Sequence, residues 1–319
     1  MHEFKEHHPE FKGFSDFYAA EILPGLERDE IARLDILANI KKVVPFIALV
    51  TLAALGVAIY LRAPFIAYAM ITAFGILGGY GYAEHKMKNI RSGTKDNIVG
   101  GICRFLGLTF LEKIEKPANF EFFEYLGLVT SSYTRSKFED LMSGSAHGAD
   151  FLFYEAHLEK REGTGKNRKW VTKFRGQVLA LTFDQKFLGK TVVLRDKGFL
   201  QSKKKGDMKR VGLVDPVFEK IFEAYGTDQV EARYLLTPTF MQRLVDLESS
   251  VDGRNIRFGF IGGQLLIAVE TENRYEPGSM FKPLIEADRT QKILDEIGAI
   301  YDVIDGVMER NARRPSPIS

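Results

Sequence analysis

Nine basic residues crowd into Lys186–Arg210 against two acidic ones, a formal charge of +7. The densest pieces are Lys203-Lys204-Lys205 and Lys209-Arg210. Cations at this density attract an anionic surface, either lipid headgroups or an acidic protein. Nucleic acid is disfavoured, because no aromatic platform interleaves with these lysines. Val211–Asp252 then carries eight acidic and three basic residues, a formal −5. The segment reads either as a solvated loop or as a site for such an anion, and in the second case Lys203, Lys204, Lys205, Lys209 and Arg210 are the residues that meet it.

Other combinations fall short of a complete chemical pattern. Gly163-Thr164-Gly165-Lys166 is similar to a phosphate loop, but Lys160 stands where the first glycine is needed and Asn167 follows the lysine. Gly144-Ser145-Ala146-His147-Gly148 places its serine second of five, whereas a hydrolase elbow needs it third. That piece reads as a loop. His147 and His157 could converge with Asp150 or Glu155 as an acid–base set if the fold brought them together. His2, His7 and His8 lie among Glu3, Glu6 and Glu10 and read as a solvated end rather than a metal site. Gly259, Gly262 and Gly263 fit a β-hairpin, not a dinucleotide fingerprint. Cys103 is the only cysteine, which excludes internal disulfides and fits a reducing compartment. No catalytic residue, metal or cofactor is expected.

The elements that must carry these residues begin with two runs that lack a formal charge. Val43–Leu61 has 19 residues and Ala63–Ala83 has 21, with Arg62 between them. At about 1.5 Å per residue each helix spans roughly 30 Å, the thickness of a bilayer's hydrocarbon core. Pro64 suits the first turn of the second helix. The expectation is a transmembrane helical hairpin. Lys41 and Lys42 precede it, and Lys86, Lys88, Arg91 and Lys95 follow it. That bias places both termini in the cytoplasm and the protein in the inner membrane as a multi-pass protein. Ala67, Ile71, Gly75 and Gly79 form a stripe suited to close helix contact, within the hairpin or between protomers.

Residues 1–42 read as an N-terminal cytoplasmic helical segment, with Phe11, Phe14, Phe17, Tyr18 and Ile22 at helical spacing. Residues 85–118 read as a juxtamembrane linker and 310–319 as a disordered tail. Between them, 119–309 reads as a cytoplasmic domain. Phe151–Leu158 alternates as a half-buried strand, and Trp170–Phe183 follows a polar turn to complete a hairpin. Thr191–Arg195 and Gln229–Leu236 read as further strands. Asp215-Pro216 and Thr237-Pro238 each pair a cap with a first-turn proline. The first opens a helix expected to carry on through Tyr225. Ile256–Phe260 and Gln264–Val269 form a hairpin about Gly262-Gly263. Ile285–Met308 is a helix with one core-facing stripe. Hairpins dominate, so the fold class is α+β with a largely antiparallel sheet and several helices.

Four stretches carry a family likeness: FEDLMSGSAHGADFLFYEAHLE at Phe138–Glu159, FRGQVLALTF at Phe174–Phe183, DPVFEKIFEAYGTDQVEARYLLTPTFMQRLVDL at Asp215–Leu247 and FGFIGGQLLIAVE at Phe258–Glu270. Together, over roughly residues 95–305, they resemble the bacterial domain-of-unknown-function family numbered 3137. The resemblance implies a membrane-anchored domain behind a pair of N-terminal helices. It supplies no activity and no catalytic residues. The expected function is a non-catalytic binding or scaffold module for a protein partner or anionic lipid. The alternatives are a membrane-proximal enzyme and a regulator that senses a ligand. The oligomeric state stays open.

Overall fold

Among the described residues, alternating apolar positions between 109 and 270 build one antiparallel sheet of nine strands, seen here in a computed structural model. The structure describes residues 3–184, 186–195, 206–213, 215–272, 283–285 and 287–311. The strands are β1 (Thr109–Ile114), β2 (Arg135–Ala146), β3 (Ala149–Glu162), β4 (Lys169–Thr182), β5 (Thr191–Arg195), β6 (Lys209–Val211), β7 (Phe222–Gly226), β8 (Arg254–Ile261) and β9 (Gln264–Glu270). Their order is β1-β2-β3-β4-β9-β8-β5-β7-β6, which leaves β1 and β6 at the edges. The α+β class with an antiparallel sheet is thus correct.

The helices are α1 (Phe14–Phe17), α2 (Leu23–Tyr60), α3 (Phe65–Lys95), α4 (Gly101–Phe105), α5 (Phe120–Tyr125), α6 (Pro216–Ile221), α7 (Gln229–Leu235), α8 (Pro238–Ser250) and α9 (Ala287–Asn311). Two compact units result. One is built mainly on residues 13–101, and the other mainly on residues 102–275 and 288–311 together with 5–12.

In the first unit α2 and α3 run antiparallel. Thr94 Oγ1 and Asn97 Nδ2 donate to Asp29 at one end, at 3.2 and 2.7 Å. Near the connecting turn Tyr68 donates to the Ala58 carbonyl at 3.2 Å. Between these, a Cβ on Gly75 would collide with the Thr51 hydroxyl, so only glycine lets the backbones approach this closely. Gly78, Gly79 and Gly81 face open space. The stripe of small residues is therefore only partly used within the pair. Thr51 and Thr72 satisfy their hydroxyls on carbonyls one turn back, at 2.8 and 2.9 Å. Both helices are long and apolar enough to cross a membrane. Phe46, Leu49, Leu52, Phe74, Ile76 and Leu77 are all exposed along them.

In the second unit the sheet is covered on both faces. On one face Phe120, Phe123, Leu126 and Leu128 pack over Phe138, Tyr154, Ala156, Val178, Leu266 and Ala268. On the other, Phe240 of α8 meets Phe258 and Phe260 at centroid distances of 6.0 and 5.7 Å. α9 buries Ile293, Leu294, Ile297, Ile300 and Ile304. β3 is consequently not half-buried: even Glu155, on its polar side, is buried.

Four local expectations need correction. Gln229–Leu235 is a helix, because the Asp228 carboxylate caps it by accepting from the Val230 and Glu231 amides at 2.9 and 2.8 Å. The helix opened by Asp215-Pro216 stops at Ile221, and Phe222–Gly226 becomes β7, paired with both β5 and β6. Thr109–Ile114, inside the stretch read as a linker, is edge strand β1. Gly144–Gly148 is not a loop. Residues 144–146 end β2, and His147-Gly148 make a tight turn with φ of +53° and +83° into β3.

The hairpins and caps read from sequence are present at β3–β4, at β8–β9 and at the start of α8, where Thr237 accepts from the Phe240 amide. The aromatic stripe of the N-terminal segment divides. Phe14 and Tyr18 pack with Phe4 in the first unit, while Phe11 lies 6.3 Å from Tyr301 in the second.

Candidate functional site

Strand β6 carries the described part of the basic segment. Lys209 pairs across the ladder with Gly226, Arg210 with Tyr225 and Val211 with Ala224. Val211 is buried, while Lys209 and Arg210 are exposed. Adjacent residues of a strand point to opposite faces. Lys209 and Arg210 therefore present two single cations on either side of an edge, not one doublet. Lys203, Lys204 and Lys205 lie outside the described residues.

The same edge borders a cleft of about 750 Å³ whose lining includes Phe122, Tyr125, Leu188, Lys190, Asp207 and Thr227. Phe122, Tyr125 and Leu188 are exposed apolar groups. Lys190 Nζ donates to Tyr125 Oη at 3.0 Å, lies 5.4 Å above the centre of that ring and pairs with Asp207 at 3.3 Å. These partners hold the ammonium more firmly charged than an isolated lysine. Glu231 fixes the floor by accepting from the Leu188 and Gly189 amides at 2.8 and 2.7 Å. Sequence reasoning missed this grouping, because Tyr125 and Lys190 lie 65 residues apart.

Of the acid–base candidates, His157 stands apart from His147 and Asp150, while Glu155 shares its face of β3 two positions away. Asp150 is the second residue of β3 and accepts from the Ser145 hydroxyl. His157 stands seven residues along the same strand, about 24 Å away at about 3.4 Å per residue. His157 Nε2 meets Thr172 Oγ1 at 3.0 Å, and burial lowers its pKa. Glu155 lies 3.6 Å from the Arg175 guanidinium.

His147 has its own partners. Its Nδ1 is 2.6 Å from Asp305, its Nε2 is 3.1 Å from Glu10, and its ring stacks on Tyr301 at 4.8 Å. Burial, and next the Glu10 charge, push the Tyr301 phenol up to about 12. This node ties residues 5–12, the β2–β3 turn and α9 together. Among the described residues no group of three or more His, Cys, Asp or Glu has the arrangement of a metal site.

No curated protein matches the chain. Among solved structures, the crystal structure of the mycobacterial trehalose monomycolate transport factor A, TtfA, aligns at 14% identity over 68% of this chain and 97% of that one. Its TM-score of 0.35 is too low to inform the fold or the function. The family model described as "Protein of unknown function (DUF3137)" matches residues 172–308, from within β4 to near the end of α9. That match takes in β6 and most of the cleft's lining, and it leaves out the helix pair and the Phe138–Glu159 stretch. Over residues 172–308, then, the chain resembles this family of proteins of unknown function.

Proposed function

We propose that the chain is a membrane-anchored, non-catalytic binding protein of the bacterial inner membrane. In this reading α2 and α3 cross the bilayer as a hairpin, and the residues on either side of the pair are cytoplasmic. The sheet-bearing unit then takes up a protein partner or anionic lipid. The observation that carries the reading is the exposed apolar surface of both helices. Keeping Phe46, Leu49, Leu52, Phe74, Ile76 and Leu77 in water forfeits on the order of 10–20 kcal/mol relative to burial. Folded domains have only about 5–15 kcal/mol of net stability, so a bilayer is the environment that suits these helices.

Lys41, Lys42, Lys86 and Lys88 flank the outer ends of the pair, and Arg62 alone occupies the turn. This bias supports the orientation. Neither span has an ionisable residue within it, which favours an anchor over an ion or proton path. The distance of His157 from His147 and Asp150 favours binding over catalysis.

Alkaline carbonate extraction of membranes from cells that express the full chain tests the anchoring. Retention in the membrane pellet supports the reading. Complete release would overturn it.

A further inference from the structure

We propose that the β3–β4 hairpin ends in an arm that lies on an anionic lipid surface, with Trp170 entering the headgroup layer. β3 and β4 each run for 14 residues, but β9 pairs with β4 only from Gly176 to Thr182. On the other side β2 reaches no farther along β3 than the Arg135–Glu159 pair. Residues 160–171 therefore extend past the neighbouring strands as a two-stranded ribbon. Gly163, at φ +96°, makes its turn, and a Cβ there would collide with the Asn167 carbonyl.

The arm is cationic. Between Glu159 and Lys173 it carries Lys160, Arg161, Lys166, Arg168, Lys169 and Lys173 against Glu159 and Glu162. Trp170, the only tryptophan of the chain, is 44% exposed and pairs across the ladder with Arg161. Arg135 lies over its ring at 4.2 Å and is held there by Glu159 at 2.5 Å. The indole thus has one guanidinium over its ring, a second cation as its ladder partner, and part of its surface open. A ring that is apolar in body and polar at N–H suits the membrane–water interface. The surrounding cations suit anionic headgroups, whose attraction is short-ranged and weakened by salt. Duplex or single-stranded nucleic acid is the competing occupant. The bilayer is favoured because the exposed helix pair keeps the whole chain beside one. The inference rests on the membrane-anchoring reading.

The test uses the full chain in nanodiscs, one set of phosphatidylcholine alone and one with added phosphatidylglycerol. Trp170 is the chain's only indole, so with a scaffold protein that lacks tryptophan the emission reports on the arm directly. Anionic discs should shift its emission to the blue, allow quenching by brominated lipid and reduce quenching by aqueous acrylamide. High salt should reverse all three effects. Lys166→Glu together with Arg168→Glu, both in the turn, should abolish them while circular dichroism stays unchanged.

Identical emission and no lipid quenching in the two discs, for a protein that has incorporated into both, would overturn the arm and leave the anchoring intact. Failure to incorporate at all would overturn the anchoring and with it this inference. A blue shift elicited by an added oligonucleotide but not by phosphatidylglycerol would overturn it in favour of nucleic acid.

Discussion

His157 is a histidine that folding makes harder to protonate, because burial outweighs the attraction of Glu159. Its folded pKa lies below the unfolded value of about 6.5. As pH falls through that value the unfolded chain takes up the proton first, so this residue reduces stability on the acid side. The loss begins near pH 6.5 and levels off below the lowered folded value. A His157→Gln variant should therefore lose less melting temperature than the parent between pH 7 and pH 5. Equal losses in both proteins would refute the effect.

His147 is the other informative residue. His147→Ala removes the contacts to Asp305 and Glu10 and the stack on Tyr301. The expected cost is about 1–3 kcal/mol, read as a lower melting temperature together with faster proteolysis within residues 5–12. None of this was visible in sequence. In sequence His147 reads as a loop histidine or an acid–base candidate, since its partners lie 137 and more positions away: Glu10 toward one end, and Tyr301 and Asp305 toward the other.

At the scale of elements, the close approach of α2 and α3 depends on one glycine. Gly75→Val places a side chain on Thr51 and should lower the melting temperature in detergent by several degrees. Gly81→Ala meets nothing and should leave it within about a degree or raise it slightly. If both variants behave alike, Gly75 does not set the packing.

The elements read most easily in sequence were those whose signal is local. Thr237-Pro238 and Asp215-Pro216 announce helix starts, and Gly262 announces the β8–β9 turn. The failures share a cause. Val230–Leu236 has the β-branched and aromatic content of a strand, and only the Asp228 cap marks it as a helix. Phe222 and Tyr225 continue the helical spacing of Val217 and Phe218, yet β5 and β6 offer ladder partners that outweigh it. The arm's cations lie close together in sequence between Lys160 and Lys173, but a polar turn interrupts them, and only the register brings Arg135 beside Glu159 and over Trp170. The run at Lys203–Lys205 stands out in sequence because its charges are consecutive.

At the scale of the molecule, one chain carries a pair of apolar helices and a unit whose sheet, nine-stranded among the described residues, is packed on both faces. Phe240→Ala tests that packing. Loss of its contacts to Phe258 and Phe260 should destabilise the sheet-bearing unit by about 3–5 kcal/mol without releasing the protein from membranes. Release of this variant would mean that the sheet-bearing unit, not the helix pair, holds the protein there.

The central claim is that the pair spans the bilayer with its turn on the far side. Cysteine labelling in intact cells tests it most directly, with Cys103→Ala as background and a membrane-impermeant maleimide as probe. Ala63→Cys, in the turn, should label in intact cells. Lys12→Cys and Asp207→Cys, at exposed positions on either side of the pair, should label only after lysis. Labelling of Ala63→Cys only after lysis, alongside the other two, would contradict the account.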